Sequence, residues 1–152
     1  MIRQATEHDV EHILRLYRAA GIEADGFTPD EARAHFATFA RYPSYRLFVT
    51  DDLTGTYALL VMDNLAKRGA RSAIVEDVAV DPAHQGRGIG RALMEHARAE
   101  AERAGCYKLV LSSNAARESA HRFYESLGFA RHGVSFAITY GQANSGAIGE
   151  KL

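Results

Sequence analysis

The sequence predicts an α/β (α+β) fold in which strands of a mixed sheet, an antiparallel hairpin and a parallel crossover pair among them, are interspersed with helices. Three observations carry that expectation. Apolar periodicity switches between a two-residue and a near-four-residue repeat in the order β-α-α-β-β-β-α-β-α-β-β between Ile2 and Tyr140. The stretch from Val75 to Leu93 runs from an apolar strand through a loop holding Gly86, Gly88 and Gly90 directly into a helix. That helix leads to a further apolar strand at Leu109-Val110-Leu111, and the order strand, crossover helix, strand makes these two strands parallel neighbours with a right-handed connection.

Each element has its own signal. Ile2 to Ala5 reads as a short strand, followed by Thr6 as a helix N-cap with Asp9 complementing the helix start. Val10, Ile13, Leu14 and Tyr17 fall at helical spacing, and Gly21 ends the run. Thr28-Pro29-Asp30-Glu31 supplies a threonine cap, a proline at the first helical position and a glutamate that closes a capping box, so a second helix is expected to about Tyr42. The segment Ile22 to Phe27 between the helices is either a plain surface loop or a lid on the acceptor side of a site. Tyr45, Leu47 and Val49 alternate with Arg46, Phe48 and Thr50, and the turn at Asp51 to Gly55 leads into a strand from Thr56 to about Asp63, an antiparallel hairpin. Asn64 to Arg71 carries Lys67, Arg68 and Arg71 and is either a solvated loop or an attractor for an anionic acceptor.

Ile74, Val78 and Val80 give the next strand its alternation, and Pro82 stops it near Asp81. Ile89, Leu93, Ala97 and Ala101 mark one face of the helix that follows, which Gly105 ends. Beyond the strand at Leu109 come a helix from Ser119 to Leu127 and two short strands, the last from Phe136 to Tyr140. A single domain over residues 1–140 is expected, with a mobile tail from Gly141.

Composition narrows the function. A chain of 152 residues with 47% apolar and 24% charged content suits one globular domain. The net charge of −1 gives no global reason to expect nucleic acid or an anionic membrane. One cysteine, Cys106, excludes an intrachain disulfide or a cysteine cluster for zinc, and it reads as a core residue rather than a nucleophile. No metal site is expected. No apolar run approaches membrane-spanning length and the N-terminus lacks a signal-peptide pattern, so a soluble, cytoplasmic protein is expected.

Chemistry concentrates at the glycine loop. Bare backbone at a helix start lets several N–H groups converge on an anion that the helix dipole also favours, and the expected guest is a phosphate or pyrophosphate. The alternation of Gly86, Gly88 and Gly90 fits neither the dinucleotide fingerprint nor the phosphate loop ending in Gly-Lys-Ser/Thr. The spacing Gln85-x-x-Gly88-x-Gly90, preceded by Val78-x-Val80-Asp81-Pro82 and followed by a helix, resembles the acyl-CoA signature of the GNAT superfamily of N-acyltransferases. A second segment, Ala120 to Phe129 with Phe123, Tyr124 and Gly128, resembles that family's later motif, although Asn114 lies further ahead of Tyr124 than the family's asparagine does. The spacing at Ile74 to Val80 and Gly105-Cys106-Tyr107-Lys108 resembles the glucosamine-phosphate acetyltransferases, and the placing of Asn114 the aminoalkylphosphonate acetyltransferases.

The resemblance implies a GNAT fold, a mixed, mostly antiparallel central sheet splayed between two parallel strands with helices on both faces, and acetyl-CoA as cosubstrate. It implies that Gln85, Gly86, Arg87, Gly88, Ile89, Gly90 and Arg91 hold the pyrophosphate, that the edge at Val78, Ala79 and Val80 receives the pantetheine arm, and that Asn114 and Tyr124 contribute to the cofactor. A protonated amine must lose a proton before it attacks, and Glu76 is the nearest base; a bulge would bring Asp77 into play, and the alternative role for either carboxylate is an ion pair with a neighbouring arginine. Tyr124 matches the family's tyrosine, the acid for the departing thiolate. His121 reads as a surface histidine or a proton carrier. The acceptor is expected to be a small primary amine, with no nucleic acid or membrane partner and with a homodimer as the assembly. Arg117, His121, Arg122, Arg131 and His132 crowd the last third of the chain and suggest an anionic acceptor, a grip on the cofactor's 3′-phosphate, or a dimer contact. Competing readings are a CoA-binding regulatory module without catalysis, a phosphate-binding interaction domain, and acetylation of a protein or peptide amine.

Overall fold

A computed structural model describes residues 1–22, 25–138 and 140. The chain divides into two units, residues 1–111 and 112–152. The first contains strand β1 (Ile2–Gln4), helices α1 (Val10–Ala19) and α2 (Pro29–Ala37), strands β2 (Tyr45–Thr50), β3 (Gly55–Met62) and β4 (Arg71–Val80), helix α3 (Ile89–Arg103) and strand β5 (Cys106–Leu111). The sheet runs β1-β2-β3-β4-β5, antiparallel up to β4 and parallel between β4 and β5, as the crossover through α3 requires.

The two-residue alternation of β2 and β3 sorts side chains onto opposite faces. Leu47, Val49 and Ala58 join Ile13 of α1 in one buried cluster, with Tyr17, Phe36, Phe39 and Tyr45 packed against it. On the other face Phe48 stacks on Tyr57, ring centroids 5.1 Å apart, and the Tyr57 hydroxyl lies 2.7 Å from Nδ1 of His96 on α3. Buried Glu100 of α3 accepts from Arg46 of β2 at 3.0 Å and from Arg103 at 2.5 Å, so its carboxylate is paired on both sides.

The helix starts behave as their residues demand. Asp9, only 4% exposed, receives both terminal nitrogens of Arg3 at 2.7 and 2.9 Å and the Thr6 backbone N–H at 2.8 Å. The Arg3 guanidinium holds the Asp9 carboxyl well below the usual carboxylate range. At α2 the backbone N–H of Thr28 donates to Glu31 at 2.9 Å and that of Glu31 donates back to the Thr28 hydroxyl at 3.3 Å. The α-helix ends at Ala37 rather than near Tyr42, because Thr38–Arg41 tighten into a 3₁₀ turn ahead of Pro43.

The second unit holds helix α4 (Glu118–Ser126). The two short strands expected after Phe129 do not form: among the described residues no strand follows β5. Val134, Phe136, Ile138 and Tyr140 keep the alternating pattern yet are 80–94% exposed, and a period of two makes a strand only where a neighbour closes the ladder. The tail from Gly141 lies outside the described residues. No helix among the described residues is long and apolar enough to cross a membrane.

Candidate active site

The centre of β4 departs from a regular strand. Ala58 of β3 pairs with Glu76 and Thr56 with Ala79, so Tyr57 alone opposes both Asp77 and Val78. This is a β-bulge, and Asp77 takes the left-handed backbone conformation, φ 51°, which aspartate tolerates better than most side chains. Directly paired residues share a face, so Glu76 projects beside Ala58 toward α1 and α2. Asp77 lines a cavity on that same face with Tyr17 and Tyr45. Regular alternation would send Asp77 to the opposite face; the extra residue cancels that reversal and sets two consecutive carboxylates side by side.

Their surroundings shift their titration. Burial raises both carboxyls, and Glu76 is raised further by the charge of Asp77, although each keeps a solvent-exposed side. Burial, with Asp77 second, also pushes the Tyr45 phenol up to about 12 and Tyr17 higher still. The phenols therefore remain hydrogen-bond donors at neutral pH while the carboxylates become better bases. The cavity measures about 250 Å³, and Phe27, Phe36 and Phe39 form much of its wall.

The cofactor candidates lie at the other end of the bulge. Pairing between β4 and β5 ends at Val75 and Leu111, while β4 runs on through Val78, Ala79 and Val80. Asp81 then turns the chain: its backbone N–H donates to Thr54 at 2.8 Å, its carboxylate accepts from the Ala83 N–H at 2.9 Å and lies 3.0 Å from Nδ1 of His84. Gly86 and Gly88 have φ of 76° and 81°, a conformation only glycine adopts freely. Gly88 is the N-cap of α3 without a side-chain cap, and the first turn carries no acid. Uncovered N–H groups and an exposed rim at Gln85, Arg87 and Arg91 suit an anion, so the residues present fit a pyrophosphate. Ile89 and Gly90 open the helix itself, and the backbone of Gly90 is outside the left-handed region.

One positioning residue escaped sequence reasoning. A methyl group at Gly55 would meet Cγ2 of Ile89 at 2.8 Å and Cδ1 of Leu93 at 3.1 Å, so α3 packs on β3 at a distance that only glycine permits. Nothing in the turn Asp51 to Gly55 distinguishes that demand from an ordinary turn glycine.

In the second unit Tyr124 falls in the last turn of α4, between the rings of Phe123 and Phe129. Burial raises its phenol against the opposing charge of Arg117. Oδ1 of Asn114 accepts from the Ala116 N–H at 2.9 Å, and Nε2 of His121 lies 2.9 Å from the Asn114 carbonyl oxygen. Arg131 bonds Glu125 at 2.7 Å and Arg122 approaches Glu118 at 3.7 Å, so part of the positive charge seen in the sequence is locally balanced. In the first unit Arg71 is likewise paired, with Asp63 at 2.8 Å. Cys106 is half-buried and burial pushes its thiol up, which suits packing rather than nucleophilic work.

This geometry suits acyl transfer from a phosphate-bearing thioester, and comparison with known proteins agrees. The chain belongs to the acetyltransferase (GNAT) family, matched over residues 10–129, and is an N-acetyltransferase. It is 30% identical over 123 residues to a glucosamine 6-phosphate N-acetyltransferase of Trypanosoma brucei brucei, a match covering 80% of this chain and 78% of that one. To glucosamine 6-phosphate N-acetyltransferase 1 of Oryza sativa subsp. japonica it is 32% identical over 123 residues, 74% of this chain and 70% of the other. A solved structure described as an acetyltransferase from Agrobacterium tumefaciens str. C58 superposes with a TM-score of 0.86 at 32% identity, covering 92% of this chain and 99% of that one.

Proposed function

We propose that the protein is a cytoplasmic enzyme that transfers the acetyl group of acetyl-CoA directly to the primary amine of a small molecule. The observation that carries this reading is the bulge, which sets Glu76 and Asp77 on one face of β4 beside a strand edge that β5 has left and a helix start that glycine leaves bare. Acetyl-CoA, when bound, supplies an activated thioester carbonyl. N–H groups from Gly86 to Gly90 hold its pyrophosphate, with Arg87 and Arg91 adding positive charge, and the main chain of Val78 to Val80 aligns the extended arm.

Asp77, which lines the cavity, takes the proton from the acceptor's ammonium, and the negative charge of Glu76 beside it favours that cation's approach. The freed nitrogen bonds to the carbonyl carbon and the carbon–sulfur bond breaks. For the departing thiolate the proton donor is Tyr124, a role supported by its motif and by a phenol held protonated. The relatives' names support a small amino compound as acceptor and give an anionic one some standing.

Calorimetry with acetyl-CoA, followed by thiol release across a panel of amines, tests the reading. Tight binding and amine-dependent thiol release are expected. Binding without release for any amine would make the protein a CoA-binding module, and no binding would reject the site.

A further inference from the structure

We propose that the acceptor is a primary amine carried on a compact aromatic or otherwise apolar body, seated between α1, α2 and β2 with its ammonium at Asp77. The inference rests on the acetyltransferase reading of the same site and names its acceptor class. The wall of the cavity is a run of rings: Phe27 meets His35 edge-on at 6.1 Å, His35 meets Phe39 at 6.0 Å, Phe39 meets Phe36 at 5.3 Å and Tyr45 at 5.0 Å. Aliphatic core residues from α1, α2 and β2 close its floor, so apolar contact dominates. At about 250 Å³ it falls below the range of roughly 300–1,000 Å³ that drug-sized ligands occupy, which suits one ring and a short chain.

Charge points the same way. Among the described residues no lysine or arginine lines the cavity, Asp77 is the one acid that does, and His35 adds an imidazole ring. A phosphate seated there would face the Asp77 carboxylate with no lysine or arginine beside it, whereas an ammonium would meet that carboxylate and the rings of Tyr17 and Tyr45. Two arginines of these helices, Arg18 and Arg33, are engaged elsewhere. Arg18 donates to the Phe27 carbonyl oxygen at 2.9 Å, while Arg33 is bonded to Asp30 at 2.8 Å and lies 3.6 Å from Glu11.

The step balances. One ammonium proton passes to the Asp77 carboxylate, a carbon–nitrogen bond forms at the acetyl carbon of the CoA thioester, the carbon–sulfur bond breaks, and the thiolate takes a proton as it leaves. The product amide is neutral and loses its attraction to the carboxylates, which favours release.

The test compares kcat/KM for 2-phenylethylamine and for glucosamine 6-phosphate at saturating acetyl-CoA, in the full chain and in Phe27→Ala and Phe27→Leu, with calorimetric binding of 2-phenylethylamine in parallel. The aromatic amine is expected to be preferred by tenfold or more. Phe27→Ala should raise its KM roughly tenfold with little change in kcat, and Phe27→Leu should recover part of that loss. Equal or better use of glucosamine 6-phosphate, or a KM that Phe27→Ala leaves unmoved, overturns the inference and leaves the acetyltransferase reading standing. Binding of 2-phenylethylamine that Phe27→Ala weakens, in a protein that turns over no amine, upholds the pocket and rejects the transfer reaction. Neither binding nor turnover overturns both.

Discussion

Gly55→Ala tests how the seat of the cofactor is built. The added methyl would sit 2.8 Å from Cγ2 of Ile89, 3.1 Å from Cδ1 of Leu93 and 3.6 Å from Cγ2 of Thr50, where carbon atoms prefer about 3.5–4.0 Å. Ile89 is β-branched at the first turn of a helix and has essentially one rotamer, and Leu93 is fully buried, so neither side chain can swing clear. The start of α3 must therefore move outward by about 0.7 Å. Overpacking of this kind costs about 1–3 kcal/mol, offset by a few tenths to 1 kcal/mol from the stiffer unfolded chain. A net loss of about 1–2 kcal/mol corresponds to a fall in Tm of roughly 3–8 °C for a chain of this size. The same displacement misaligns the N–H groups at Gly88 to Gly90, so acetyl-CoA affinity should fall several-fold to tenfold. Urea denaturation and calorimetry read the two effects. Adding Ile89→Ala should restore part of the affinity, since it removes the clashing methyl, and a double-mutant cycle isolates that coupling. Unchanged stability and unchanged affinity in Gly55→Ala would refute the reasoning.

Four further outcomes are expected. Gly90→Glu places a side chain and a negative charge at the helix start without a left-handed backbone to strain, so acetyl-CoA binding measured by calorimetry should weaken at least tenfold while the thermal transition changes little. Asp77→Asn should lower kcat/KM by about 10²–10⁴-fold; because Glu76 is raised partly by the charge of Asp77, the acid limb of the remaining activity should shift to lower pH in a pH–rate profile. Tyr124→Phe keeps the ring contacts and removes the hydroxyl, and should reduce turnover by roughly ten to a thousandfold with cofactor binding preserved, which single-turnover kinetics and calorimetry can separate. Asp9→Asn should cost about 2–4 kcal/mol at neutral pH by urea denaturation; the Asp9 carboxyl is depressed in the fold, so its contribution is present above the unfolded pKa and lost as pH falls, and the gap between variant and parent should close in acid.

The capping box of Thr28 and Glu31 was legible because its partners lie three residues apart, and the hairpin of β2 and β3 because strict alternation names the face of every side chain. The parallel pairing of β4 with β5 followed from the order strand, crossover helix, strand. The bulge was less accessible: its position depends on how Ala58 and Thr56 pair across to β4, and local sequence shows only that an aspartate stands where a left-handed residue is tolerated. Tyr17 and Tyr45 read as ordinary apolar spacing, because periodicity reports which face is apolar and not whether a neighbouring element leaves a gap there. Segment 129–138 misled for the opposite reason, since Val134, Phe136 and Ile138 alternate without a ladder among the described residues.

The departure of β5 at Leu111 bears on how the protein behaves without its cosubstrate. From Glu76 to Val80, β4 turns toward the departed β5 a row of backbone amides to which that strand gives no partner. Open strand edges recruit extended chains, and the pantetheine arm, itself amide-bearing, is such a chain in miniature. On the proposed reading, cosubstrate and edge would protect one another: the arm would gain register from the strand, and the strand would be shielded from pairing with a second polypeptide. Those amide hydrogens along 76–80 that point away from β3 then become a local gauge of occupancy, expected to exchange quickly in the free protein and slowly in the loaded one, while those bonded within the hairpin of β2 and β3 exchange at the pace of global unfolding in either state.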